Sequence, residues 1–158
     1  MAGYRARDAQ ETTMELPPGF RLSFEDRPSR EDREVIENGL GEYNKAFLRD
    51  PTFTSVGIFV RDGRGAVRAG LIGYVYAEWL FVNLLWVHAD LRRSGIGSGL
   101  LAEAERRAIA LGCHSAHLDT FSFQGPEFYP KFGYREFGRI DYPPGHQRIF
   151  LQKQLTPE

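Results

Sequence analysis

The segment Arg92-Arg93-Ser94-Gly95-Ile96-Gly97-Ser98-Gly99 constrains the fold more than any other. Glycines this dense weaken both helix and strand, so the segment reads as a turn between regular elements. Before it lies an apolar run, Trp79 to His88, with the aromatic and β-branched character of a strand. After it Leu100, Leu101, Ala104, Ala108 and Leu111 recur at helical spacing, and Gly112 supplies a stop. Without Cβ atoms, successive backbone N–H groups can turn toward one point. The start of the following helix adds unpaired N–H groups and a positive dipole end. With Arg92 and Arg93 beside it, the loop reads as a diphosphate cradle. A flexible turn with a glycine N-cap is the plainer alternative.

Two common phosphate motifs do not fit. The dinucleotide fingerprint G-x-G-x-x-G needs glycine at position 100, where Leu100 stands, and a P-loop needs G-K-[ST], which is absent. H-E-x-x-H, paired cysteine motifs and G-x-S-x-G are also absent, and no metal site is expected. His114 and His117 lie on a short predicted strand at odd spacing, which points them to opposite faces. Cys113 reads as a small packing residue.

The remaining chain supplies a sheet. Residues 1–18 mix charges with Gln and Thr, end in Pro17-Pro18 and read as a frayed tail. Phe20, Leu22 and Phe24 alternate with Arg21, Ser23 and Glu25, predicting a strand over 19–26. Ser29 then caps a helix with Glu31 and Asp32 in its first turn, weakened or broken at Gly39 and Gly41. Runs at 54–61 and 66–76 flank Asp62-Gly63-Arg64-Gly65, a hairpin signal. After the glycine loop and its helix come a strand at 115–120 and a short helix from Gly125-Pro126-Glu127 to Gly133. Strands at 134–140 and 147–155 close the chain around Asp141-Tyr142-Pro143-Pro144-Gly145. The order β-α-β-β-β-α-β-α-β-β implies a mixed α/β fold of the α+β type. Its largely antiparallel sheet has six to seven strands flanked by helices, and residues 19–158 form a single domain.

Composition narrows the class. The 158 residues are 42 % hydrophobic and 26 % charged, enough for one sizeable core. Lys and Arg total 20 against 21 Asp and Glu, a net charge of -1 that disfavours nucleic-acid partners. The single Cys excludes an internal disulfide framework and fits a reducing compartment. The N-terminal residues MAGYRARDAQETTMELPPG lack the apolar stretch of a secretory signal. Leu71 to Val87 carries Glu78 and Asn83 and reads as strands, not as a membrane span. The expectation is a soluble cytoplasmic protein with no membrane partner.

Arg92-Arg93-Ser94-Gly95-Ile96-Gly97 after Leu84-Leu85-Trp86-Val87 resembles the R-x-x-G-x-G acetyl-CoA-binding motif of the GCN5-related N-acetyltransferases (GNAT). Downstream, Glu127-Phe128-Tyr129-Pro130-Lys131-Phe132-Gly133-Tyr134 is similar to that family's F-Y-x-x-x-G-[FY] segment. The resemblance is best over 84–138 and extends over about 20–155. It implies acetyl transfer from acetyl-CoA, without a metal, to a primary amine of a small molecule or peptide. Backbone groups of Leu85 and Val87 would pair with the cofactor's pantetheine arm in a gap between splayed strands, as an added strand does. The loop amides of Arg92, Arg93, Ser94, Gly95, Ile96, Gly97 and Ser98 would hold its pyrophosphate.

The resemblance also places Tyr129 as the acid that serves the leaving thiolate; half-buried aromatic packing is its plainer role. A phenol's pKa of about 10 exceeds a thiol's of about 8.5, so full transfer is uphill by roughly 2 kcal/mol. Either the site lowers that pKa or Tyr129 donates a hydrogen bond without full transfer. The acceptor raises a second proton problem, because a lysine-like amine is neutral in only about one molecule in 2,500 at pH 7. Where some family members carry Glu or His, this chain has Phe81 and Asn83. Asn83 can orient a water but is no base. Glu78, at the preceding turn, is either a base reaching the pocket or a solvated strand-end charge. His88 and Asp119 are expected to end neighbouring strands, as a proton route or as structural groups. Trp79, Phe121 and Phe123 suit an acceptor pocket or a homodimer contact. A non-catalytic acyl-CoA-binding protein of the same fold and a nucleotide-binding oxidoreductase are the competing readings.

Overall fold

The computed structural model describes residues 14–155, and contacts group the chain into two units that meet between Asn38 and Gly39. Of the expected tail, residues 1–13 lie outside the described part; Met14 to Pro18 are exposed and irregular. In the first unit, the strand expected over 19–26 does not form. Phe20, Leu22 and Phe24 alternate as a strand would but are exposed, and alternation without a ladder partner does not hold a strand. Helix α1 (Arg30–Asn44) runs across the unit boundary. Its start is fixed where the Ser29 hydroxyl accepts the Asp32 N–H at 3.0 Å. Arg30–Glu34 and Arg33–Glu37 pairs one turn apart support it, and it passes through Gly39 and Gly41 unbroken.

The second unit is built on one six-stranded sheet of β1 (Thr54–Arg61), β2 (Val67–Tyr76), β3 (Trp79–Val87), β4 (Ser115–Phe121), β5 (Arg135–Tyr142) and β6 (His146–Gln154). The strand order is β1-β2-β3-β4-β6-β5, antiparallel throughout except between β3 and β4. Asp62 closes the first hairpin by accepting the N–H groups of Arg64 and Ala66. The turn between β2 and β3 places Ala77 and Glu78 at φ 48° and 65°.

Helix α2 (Ile96–Ala110) buries Leu100, Leu101, Ala104 and Ala108 against one face of this sheet. There it meets Leu71, Leu80, Val82 and Leu118 in the core. Each buried leucine contributes about 1.5–3 kcal/mol, and the two alanines let helix and sheet approach closely. The expected short helix after Gly125 is a 3-10 segment, Pro126–Phe132, because Pro130 inside it lacks the N–H that an α-helix needs. No helix among the described residues is long and apolar enough to cross a membrane.

Two irregularities of β3 position everything that follows. Gly73 pairs with Val82 while its neighbour Ile72 pairs with Leu84, so Asn83 is the extra residue of a β-bulge. A Cβ on Gly73 would lie 2.2 Å from the Phe81 carbonyl oxygen, so only glycine permits this approach. Beside the bulge, the parallel pairing with β4 stops: Trp79 to Val82 match Ser115 to Leu118, and Asn83 to Val87 run on without a β4 partner. The sheet forks there.

Candidate active site

Antiparallel pairing alternates the directions of the backbone polar groups. The His88 N–H bonds the Arg68 carbonyl at 2.9 Å. In the same register Trp86 pairs with Gly70 and Leu84 with Ile72. The alternate residues, Leu85 and Val87, therefore turn their backbone groups away from β2 and into the fork. The Val87 carbonyl accepts Arg92 Nε at 3.1 Å, which ties the loop to the end of this edge.

The loop continues through a 3-10 turn at Ala89–Leu91 and then Arg93, whose φ of 62° is unusual outside glycine. The Ser94 hydroxyl donates to the Leu91 carbonyl and the Ser98 hydroxyl to the Gly95 carbonyl. Gly95 caps α2 with φ 84° and no side chain to bond the helix start. The first N–H groups of α2 thus lack both an intrahelical partner and a capping side chain, an arrangement that suits an anion. Gly97 lies where an added Cβ would touch Phe128 at 3.6 Å and Val87 at 3.7 Å. The fork edge, the helix start and the 3-10 segment therefore converge on one place.

Tyr129 stands on that 3-10 segment, its ring against Phe128 at 5.1 Å and Tyr134 at 6.1 Å. Burial raises its pKa above the ordinary phenol value, and the Asp119 carboxylate adds to the effect. Asp119, the first β4 residue past the last β3 pair, accepts Arg148 Nε at 2.5 Å. That guanidinium lies between the Phe121 and Phe150 rings at 5.7 and 5.9 Å. Asn83, exposed on the bulge, is at the base of the fork beside Asp119's end of β4.

Other expected residues are elsewhere. Glu78 is at the opposite end of β3 from the loop, bonded to His114 at 2.9 Å with Arg49 at 3.9 Å. The structure does not bring it to the fork. His88 and Asp119 are not neighbours, because the strands part before either is reached; His88 instead meets Arg68 and Asp90. Trp79 is at the paired end of β3, while Phe121 and Phe123 stack at 5.3 Å near the last hairpin. Cys113 is buried. Among the described residues, no cluster of His, Cys, Asp and Glu is arranged to hold a metal ion. Sequence reading passed over Gly73, although a lone glycine inside a strand pattern is the usual mark of a bulge.

The sequence that builds this fork and this glycine-capped helix start also matches a family profile. The acetyltransferase (GNAT) domain profile covers residues 55–136, from β1 to the start of β5. The chain belongs to the GNAT acetyltransferase family. Over 94 residues it is 47 % identical to the blasticidin-S acetyltransferase of Streptomyces morookaense, spanning 58 % of this chain and 69 % of that one. An acetyltransferase of Agrobacterium fabrum is 31 % identical over 126 residues, 79 % of this chain and 92 % of the relative. The crystal structure of an acetyltransferase from Bacillus cereus superposes with a TM-score of 0.72 at 37 % identity, covering 84 % of this chain and 98 % of that one. GNAT membership makes the protein an acetyltransferase and sets aside the oxidoreductase reading. GNAT acetyltransferases use acetyl-CoA as co-substrate.

Proposed function

We propose that this GNAT enzyme transfers the acetyl group of acetyl-CoA directly to a primary amine on a small molecule. The fork carries the reading: a β3 edge with backbone groups of Leu85 and Val87 unclaimed by β4, leading straight to the bare start of α2. These features fit an acyl carrier with an amide-bearing arm and a diphosphate. Leu85 and Val87 pair with the arm as a neighbouring strand would. The amides from Arg92 to Ser98, with the Arg92 and Arg93 guanidiniums, hold the diphosphate. When bound, acetyl-CoA supplies an activated acetyl thioester.

The chain's own groups then manage protons. Tyr129 keeps its hydroxyl proton because burial disfavours the phenolate, so it hydrogen-bonds the departing sulfur instead of surrendering the proton outright. Asn83, on the bulge at the base of the fork, orients a water next to the acceptor. The resemblance to the blasticidin-S acetyltransferase makes blasticidin S a fitting first acceptor to test. Calorimetry with acetyl-CoA followed by thiol-release assays against an amine panel that includes blasticidin S tests the reading. Binding together with amine-dependent thiol release is expected. No heat of association at millimolar acetyl-CoA overturns the cradle, and binding without thiol release from any amine overturns the transfer.

A further inference from the structure

We infer that His117 is the base that takes the proton from the acceptor amine, at the base of the fork on the sheet face turned away from α2. The inference rests on the acetyl-transfer reading and supplies the base that reading lacks. Along β4, Ala116, Leu118 and Thr120 are buried on the α2 side. The alternate residues Ser115, His117, Asp119 and Phe121 therefore line the other face. His117 pairs with Phe81, one step before the Leu118–Val82 pair at which the strands part. An arm laid along the β3 edge from the glycine loop would end at this point, and the inference requires the acceptor to enter from the face where His117 stands.

The ring is held for such work. It stacks on Phe81 at 4.8 Å with an interplanar angle of 30°, and meets Trp79 edge-on at 5.8 Å. Its nitrogens bond no protein group among the described residues, yet they are not sealed in the interior. By contrast, His88 is engaged by Arg68 and Asp90, and His114 by Glu78. Burial lowers the His117 pKa, with Asp119 opposing, so the imidazole is neutral at pH 7 and able to accept. The surrounding charges leave it so. Asp119, on the same strand, is paired with Arg148 of β6. Gln152 of β6 stands opposite His117, with Arg135 of β5 beyond it. Trp79, Phe81 and Asn83 of β3 carry no charge, and Tyr129 stays protonated. Asn83 cannot serve as a base, and Glu78 and Asp119 are occupied by their partners.

The protons balance. One proton passes from the acceptor ammonium to the imidazole. The freed lone pair forms the C–N bond as the C–S bond breaks, its electron pair going to sulfur. The second amine proton ends on that sulfur, with the Tyr129 hydroxyl bonding it during departure. The proton on His117 returns to solvent.

The test combines NMR titration of the His117 ring with the pH dependence of turnover in wild type, His117→Gln and His117→Asn. In the free wild-type protein the ring should titrate below the ordinary histidine value of about 6.5, and adding the acceptor amine should shift its resonances. Wild-type kcat/KM should fall on the acid side with that same midpoint. Both variants, checked for folding by circular dichroism, should lose roughly 10²–10⁴-fold in kcat and lose that acid limb while binding acetyl-CoA as tightly as before. Folded variants that keep wild-type kcat and its acid limb overturn the inference alone, as does a ring that titrates at or above the ordinary value. A wild type that turns over no amine overturns the transfer reading and this inference with it.

Discussion

Tyr129 shows how far one residue's chemistry depends on neighbours remote in the chain. Its place in F-Y-x-x-x-G-[FY] is plain from sequence, but the direction of its pKa is not. That direction comes from burial on the 3-10 segment and from Asp119 on β4. Tyr129→Phe should lower kcat by about 10²-fold and leave acetyl-CoA affinity nearly unchanged, as steady-state kinetics and calorimetry would show. Asp119→Asn removes a negative charge that holds the phenol up, so the Tyr129 titration followed by ultraviolet difference spectra should move to lower pH. The loop glycines differ in what they tolerate. A methyl group at Gly97 would make only ordinary contacts, whereas any side chain at Gly95 meets φ 84°. Gly97→Ala should therefore fold as wild type, while Gly95→Ala should lose about 1 kcal/mol in urea unfolding. A bulky residue at Gly97 would press on Phe128 and weaken coenzyme A binding.

At the scale of elements, periodicity and turn chemistry were enough for most of the sheet and for α2. The Asp62 turn, the Gly95 cap and the stop at Gly112 all fall where the residues indicate. The strand expected around Phe20 fails because alternation states which face is apolar, not whether an edge is available to pair with. The bulge was missed for a related reason. Gly73 matters only through the Phe81 carbonyl that approaches it from the next strand. Gly73→Ala should destabilise the protein by roughly 1–3 kcal/mol, read as a lower urea midpoint, because backbone must move to admit the methyl group. It should also weaken acetyl-CoA binding by realigning the edge beyond Asn83.

Across the whole molecule, α2 is fastened to the sheet by more than apolar packing. Lys153 on β6 bonds Glu105 on α2 at 2.6 Å, and its ammonium lies 5.6 Å from the centre of the Tyr134 ring. One Glu105 oxygen and the Tyr134 hydroxyl are buried without a hydrogen bond of normal geometry, yet they interact: burial first, and then the Glu105 carboxylate, push the Tyr134 pKa up. Lys153→Met should cost roughly 2–4 kcal/mol in chemical denaturation, because it strands a carboxylate in the interior. No local pattern in sequence announces this cluster, since its members come from α2, β6 and the link that precedes β5. The narrow pairing between β3 and β4 has a larger consequence. Among the described residues, strand pairing joins β1-β2-β3 to β4-β6-β5 over just Trp79 to Val82 and Ser115 to Leu118, with the His114–Glu78 bonds beside it, so the sheet is two leaves on a short hinge. A ligand that fills the fork would bind both leaves like a spine. Amide exchange at the hinge should slow sharply once it is in place, giving the protein a stiffness in the loaded state that it does not have alone.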